Sequence, residues 1–191
     1  MEKGNYGYIN QYKKKHIIGT AIYAAFIIAL VITGRLTSGN VMIISYVVAT
    51  VLALPAAKHL TAVLIVYPYN TLQDAEKEKL EVAADSLKNG TSIYDVTLSS
   101  QEFVAYCPYM FLYDRYLLCI GQITSKISID SIHNYLEQIL NYKGTEFEIT
   151  VVPGVSEMEK QLHTLAACEN DSENRSNIIE DAKKQILIYS V

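Results

Sequence analysis

The sequence predicts a two-helix transmembrane hairpin followed by a small α+β cytosolic domain. Three observations carry this expectation. Residues 16–34 run for 19 positions without Asp, Glu, Lys or Arg, and a second apolar stretch begins only six residues later. The charge is divided unevenly: residues 1–69 hold six basic side chains and one acidic, whereas residues 70–191 hold ten basic and nineteen acidic, which together make the net charge of −4. After residue 70 the pattern changes from unbroken apolar runs to capped amphipathic helices alternating with short strands. Half the chain is hydrophobic, and the mean hydropathy of +0.14 averages two unlike parts.

The first span reads as a helix because Ile17, Ile18, Ile22, Phe26, Ile27, Ile28, Leu30, Val31 and Ile32 leave it no polar face. Nineteen residues at about 1.5 Å each rise roughly 28 Å, close to the hydrocarbon thickness. A signal peptide has a shorter apolar region and no second span at its heels. Residues 35–40 make a tight polar turn, and residues 41–57 are apolar again. Residues 60–69 are expected to prolong this second helix to about Tyr67, with Lys58 snorkelling and Pro68 ending it, so the spans cover about 16–34 and 41–66. An interfacial segment or an entry strand are the alternatives for 60–69. Pro55 is expected to bend the second helix.

Lys13, Lys14 and Lys15 precede the first span and Lys58 lies near the exit of the second, against Arg35 alone in the turn. The excess of Lys and Arg marks the cytoplasmic side, so a cell-membrane protein with both termini cytoplasmic is expected. Tyr6, Tyr8, Tyr12, Tyr67 and Tyr69 suit the interfacial aromatic belt. On this reading the triplets beginning at Asn89, Asn170 and Asn174 are incidental rather than glycosylated. Ala21, Ala25 and Ala29, and likewise Ser45, Ala49, Ala53 and Ala57, repeat every four residues. Such stripes permit close helix packing, first between the two spans and secondarily between copies. Thr20, Thr33, Ser45 and Thr50 are expected to bond back to their own helix carbonyls. No ionisable residue falls at mid-span, which opposes a transport role for a single subunit.

The chain thus divides into a basic segment at 1–15, the hairpin at 16–69 and the domain at 70–191. Thr71 to Asp74 reads as a capping box for a helix with Leu72, Ala75, Leu80, Ala83, Ala84 and Leu87 on its inner side and Glu76, Lys77, Glu78, Lys79, Glu81 and Asp85 on a solvated face. Strands follow at 92–98, 102–113 and 115–121, the last two a hairpin around Asp114 and Arg115. Pro108 asks for an edge position or a bulge. Asp130 is expected to cap a helix carrying Ile132, Tyr135, Leu136, Ile139 and Leu140, closed by Gly144. Residues 146–152 alternate as a strand, with Phe147, Ile149 and Val151 inward. Ser156 and Glu159 open a further helix, 169–176 is a loop, and a short helix over about 177–185 leads into a terminal strand at 186–191. The order is helix, three strands, helix, strand, helix, short helix, strand.

Chemistry is sparse. Three scattered cysteines make neither a disulfide framework nor a zinc ribbon, and no Gly-rich phosphate loop, His-Glu-x-x-His or Gly-x-Ser-x-Gly occurs. The element order parallels restriction-endonuclease-like cores, but residues 117–121 (Leu-Leu-Cys-Ile-Gly) lack the acid and lysine that hold a nuclease metal. The acidic balance opposes nucleic-acid binding. His133 and Glu137 stand four apart on a helix, Cys107 and Cys119 face across the strand hairpin, and His163 and Cys168 share a helix at a spacing unsuited to joint metal binding. Tyr106, Tyr109, Tyr113 and Tyr116 read as cross-strand packing. No catalytic, cofactor-binding or metal residue is assigned. The leading expectation is a membrane protein whose domain binds another protein or itself. An anchored enzyme around Asp95, Asp114, Arg115 and His133, a degenerate nuclease-like fold among its forms, and a self-assembling pore are the alternatives.

Overall fold

The computed structural model describes residues 2–100, 102–124, 127–141, 147–167 and 176–190. It divides into two compact units, residues 9–69 and residues 1–8 with 70–191. The first unit holds most of α1 (Tyr8–Leu36) and all of α2 (Asn40–Val66). Both are long and apolar enough to cross a membrane, rising about 43 and 40 Å. Their apolar side chains stay outward: Ile22 is 51 % exposed, Phe26 60 % and Leu54 74 %. Residue 60 onward continues α2 to Val66, as expected, and the helix runs through Pro55. Thr20, Thr33, Ser45 and Thr50 each donate to the carbonyl four residues back, at 2.8–2.9 Å.

The shielded positions of the hairpin follow a heptad-like seam. On α1 these include Tyr12, His16, Gly19, Tyr23, Ile27, Leu30 and Gly34. On α2 they include Ser45, Ala49, Leu52, Ala56, His59, Val63 and Val66. Steps of three and four keep one stripe of each antiparallel helix toward the other. The packing stripe therefore differs from the alanine repeats: Ser45 and Ala49 lie in the seam, whereas Ala21, Ala25, Ala29, Ala53 and Ala57 are exposed. A strict repeat of four drifts quickly around a helix of 3.6 residues per turn, while mixed steps of three and four stay close to its pitch. Close approach is instead provided by glycines that receive rings, Gly34 beneath Tyr46 and Gly19 beneath His59.

The second unit is built on a mixed sheet of β1 (Thr91–Ser99), β2 (Val104–Tyr113), β3 (Tyr116–Ile120) and β4 (Glu148–Val152), in that spatial order. β1, β2 and β3 are antiparallel neighbours; β4 runs parallel to β3, reached through α4 (Ile129–Leu140). Two cores cover its two faces. One joins Met110, Leu112 and Leu117 to Ile132 and Leu136 of α4 and to Ile179, Ala182 and Ile186 of α6 (Ser176–Ile188). The other joins Phe111, Leu118 and Ile120 to Leu80 and Ala83 of α3 (Asp74–Asp85) and to Met158 and Leu162 of α5 (Val155–Ala167). Phe147, Ile149 and Val151 are buried while Glu148 is exposed, the alternation expected of β4.

Several expected details change. The terminal strand at 186–191 does not form: α6 continues to Ile188, leaving only an isolated bridge between Leu98 and Ser190. Ile179, Ala182 and Ile186 stand at steps of three and four and all enter the core, so the apolar run after Gln185 extends a helical stripe. The cap of α3 is Gln73 with Glu76, one pair along from the expected Thr71. Ser128 caps α4 by accepting from the Ser131 N–H at 3.1 Å, and Asp130 falls in the first turn. Gly144, Cys168 and the loop after it lie outside the described residues.

Pro108 sits in an interior strand, opposite Asp95, where the ladder skips one pair between Tyr94–Tyr109 and Val96–Cys107. Asp95 adopts a left-handed φ of +52°. Before this point β1 sends Ile93 to the α4/α6 core, and after it sends Val96 and Leu98 there; β2 changes from Ala105 and Cys107 to Met110 and Leu112 in the same way. Both strands thus exchange faces at one position without losing register. Proline has no N–H to offer the ladder, and the distortion falls where that bond would have been.

Candidate functional site

The face exchange delivers Asp95 into the domain interior, where it is 2 % exposed. The Tyr106 hydroxyl donates to its Oδ1 at 2.6 Å and the Thr71 hydroxyl donates to its Oδ2 at 2.9 Å. The Tyr106 Oη also lies 3.0 Å from the Asn70 carbonyl oxygen, so one phenolic proton serves two acceptors. Burial, and then the charge and hydrogen bond of Asp95, push the Tyr106 phenol far above its ordinary value. It is a donor here and no base. Asp95 thereby fastens residues 70 and 71 to the sheet; Thr71, expected as a helix cap, is drawn to this carboxylate instead.

A second fastening lies beside it. Residues 3–6 run along β1, the Gly4 carbonyl accepting from the Tyr94 N–H at 2.9 Å and Lys3 Nζ donating to the Ser190 carbonyl at 2.6 Å. Tyr6 places its hydroxyl 2.7 Å from both the Leu72 carbonyl and Asp74 Oδ1. Its ring meets Tyr94 edge-on at 5.7 Å and carries Lys77 Nζ over its face at 4.9 Å. The hydrogen bond to Asp74 is the main reason that its phenol is pushed up to about 12, with desolvation next. Tyr94 donates to Glu81 Oε1 at 3.0 Å, and Tyr109 pairs with the Ser92 hydroxyl at 3.0 Å. Burial pushes the Tyr109 phenol up to about 12. Part of the face of α3 expected to be merely solvated, Lys77 and Glu81, is engaged in this tyrosine cluster. Both chain segments that flank the hairpin, 3–6 and 70–74, are thus tied to the sheet.

A third feature is an open groove of about 960 Å³ beside the end of β1, lined by Ser100, Glu102, Phe103, Asn134, Tyr135 and Gln138 among others. Phe103 and Tyr135 meet edge-on at 5.7 Å, and Tyr135 donates to the Ser99 carbonyl at 2.6 Å. Its lining is mostly hydroxyls, amides and aromatic rings.

The structure does not bring Asp95, Asp114, Arg115 and His133 together. Asp114 and Arg115 form the β2–β3 turn, five residues along from the pair beside Asp95, or about 17 Å at 3.4 Å per residue. His133 belongs to α4, which covers the opposite sheet face. Among the described residues no ion pair joins His133 to Glu137, and no group of three or more His, Cys, Asp or Glu side chains could hold a metal ion. Cys107 and Cys119 are both fully buried free thiols, and burial pushes the Cys119 thiol up. In the hairpin, Lys14, Lys15 and Lys58 are exposed, whereas Lys13 bonds the carbonyls of Tyr67 and Tyr69 beyond the end of α2. A cation at those carbonyls satisfies orphan acceptors and suits the helix dipole.

Two sets of contacts escaped the sequence reading, although it named Asp95 itself within an enzyme alternative. Asp95 carries no local motif, and only Pro108 across the sheet hinted at an irregularity. The pair His16 and His59 had a signal in their similar distances from the turn at residues 37–39, which an antiparallel hairpin makes neighbours. Comparison with protein-family models, with curated proteins and with solved structures finds no match to this chain.

Proposed function

We propose that the chain is a two-pass membrane protein, with both termini on the cytoplasmic side, whose four-stranded domain binds a protein partner or a second copy in an accessory or regulatory role. The observation that carries this reading is the outward apolar surface of α1 and α2. A water-soluble chain rarely leaves so many side chains such as Phe26, Leu54 and Leu64 more than half exposed, whereas lipid takes them without cost. The orientation follows from Lys14, Lys15 and Lys58 at one end of the hairpin. The polar groups buried in the domain, Asp95 and Tyr106, hold residues 70 and 71 to the domain's own sheet. The open groove at Phe103 and Tyr135 is the surface proposed for the partner.

The test has two arms. The full chain, expressed with an epitope at each terminus, should stay in the membrane through alkaline carbonate extraction, and both epitopes should be reached only after the cytoplasmic side is opened. Copurification in mild detergent should then return a stoichiometric partner or an oligomer, and Asn134→Arg, an exposed change inside the groove, should weaken it. Release by carbonate overturns the membrane placement. Recovery as a partnerless monomer, indifferent to Asn134→Arg, overturns the binding role.

A further inference from the structure

The packing seam of the hairpin holds a pair of titratable side chains that its anchoring role does not require. His16 of α1 and His59 of α2 bring their Nδ1 atoms to 2.8 Å, with ring centroids 4.9 Å apart. The surroundings are shaped to the pair. Gly19 leaves room for the His59 ring, since a Cβ there would lie 3.0 Å from its Nδ1. Tyr12 rests against His16 at 4.3 Å, and Tyr23 stacks on His59 at 5.6 Å with 28° between planes.

Two Nδ1 atoms at this distance need one proton between them. In the neutral pair one ring carries Nδ1–H and donates, and the other accepts through its Nδ1 lone pair. A proton added at the donor ring's Nε2 keeps that bond and makes it charge-assisted. A second added proton must occupy the acceptor's Nδ1. It removes the only lone pair in the bond and sets two imidazolium ions against each other.

We propose that His16 and His59 form a proton-operated latch between the two helices, closed with at most one added proton and open with two. The charge around it makes the second proton disruptive. Lys15 and Lys58 are the charged neighbours, Tyr12 and Tyr23 face the rings, and Lys13 lies one turn away on the carbonyls of Tyr67 and Tyr69. Residues 9–69 contain no Asp or Glu at all, so no carboxylate of the hairpin compensates the doubly charged pair. The same positive setting disfavours a divalent cation between the two nitrogens. Imidazole ordinarily takes up its proton near pH 6.5; the first proton leaves the latch closed, and the second, set against the first and both lysines, needs stronger acid, so acidification below that range is the signal this latch reads. The two rings lie beside Lys15 and Lys58, at the end of the hairpin where the proposed orientation puts the cytoplasmic water.

The latch rests on hairpin geometry, independently of partner binding, and is tested on the full chain in neutral-detergent micelles with ¹⁵N-labelled histidine. Near pH 7.5 one slowly exchanging imidazole proton should couple to two Nδ1 nitrogens, and this signal should be absent in His59→Asn. Between about pH 7.5 and 4 the signal should vanish, and Tm should fall by roughly 2–4 °C more in the wild type than in His59→Asn, the size of one lost hydrogen bond in a chain this long. His133 and His163 are common to both proteins, so any contribution of theirs cancels. Imidazoles that all exchange freely and titrate independently overturn the latch, and so does an equal acid shift in His59→Asn. Should His59→Asn not fold, the wild-type nitrogen coupling decides alone.

Discussion

Removing the Tyr106 hydroxyl isolates the fastening at Asp95. Tyr106→Phe keeps the ring, which is 1 % exposed, and deletes a donor lying 2.6 Å from Asp95 Oδ1 and 3.0 Å from the Asn70 carbonyl. A hydrogen bond to a charged group contributes about 1.5–3 kcal/mol, and at this depth bulk water does not readily replace it. The expected loss is about 2 kcal/mol, or a Tm lower by roughly 4–8 °C in a chain of this length. Asp95→Asn should cost only about 1 kcal/mol, since asparagine tolerates the left-handed φ of +52° and its amide oxygen still accepts from Tyr106. Asp95→Ala should cost about 3–4 kcal/mol, because it strands two hydroxyls and puts alanine in a left-handed position. Thermal unfolding in micelles, followed by tyrosine near-ultraviolet circular dichroism, reads the series. A Tyr106→Phe protein within about 0.5 kcal/mol of wild type would refute the reasoning. So would Asp95→Asn falling below Asp95→Ala.

Three further outcomes are expected. Tyr109 has its phenol raised from 10.0 to about 12, so it favours the folded state below pH 10 and withdraws that support as pH climbs from 10 to 12. The swing is roughly 2–3 kcal/mol, and a phenolate titration should show one late-ionising tyrosine fewer in Tyr109→Phe; an unchanged count would contradict the assignment. Gly90→Ala should destabilise by about 1–3 kcal/mol, since its Cβ would lie 2.0 Å from Phe111 Cζ, and Phe111→Leu in the same chain should recover part of the loss. An additive double mutant would show that the two do not touch. In a Cys168→Ser background Cys107 and Cys119 should ignore thiol reagents until denaturant opens the sheet; rapid labelling of the native chain would contradict their burial.

The elements whose signal is local were legible. The two apolar runs are long enough to name themselves, and the back-bonding of Thr20, Thr33, Ser45 and Thr50 needs nothing beyond the helix that carries them. The alternation at 147–151 gave β4, and the position of Asp114 and Arg115 gave the turn between β2 and β3. The candidate site was far less legible. Asp95, Tyr106, Thr71 and Asn70 come from three separate stretches of chain, and their meeting depends on a matched distortion in two strands. Only Pro108 marked that position, and an isolated proline does not say which residue across the sheet will answer it.

What the sequence determined by itself is the division of the molecule: an acid-free apolar hairpin of two helices with lysines at one end, and an acidic domain of alternating helices and strands. These follow from run length, period and charge, which act within a few residues of one another. What tertiary structure decided is which faces meet. It put Ser45 and Ala49 in the hairpin seam and left Ala21, Ala25, Ala29, Ala53 and Ala57 outside, because the seam must follow the helical pitch over its whole length. It turned residues 186–188 from an expected strand into the last turn of α6, because Ile186 completes a stripe already buried by Ile179 and Ala182. It brought His16 to His59 and Tyr106 to Asp95, pairings set by how two helices and two strands register, which no local pattern encodes.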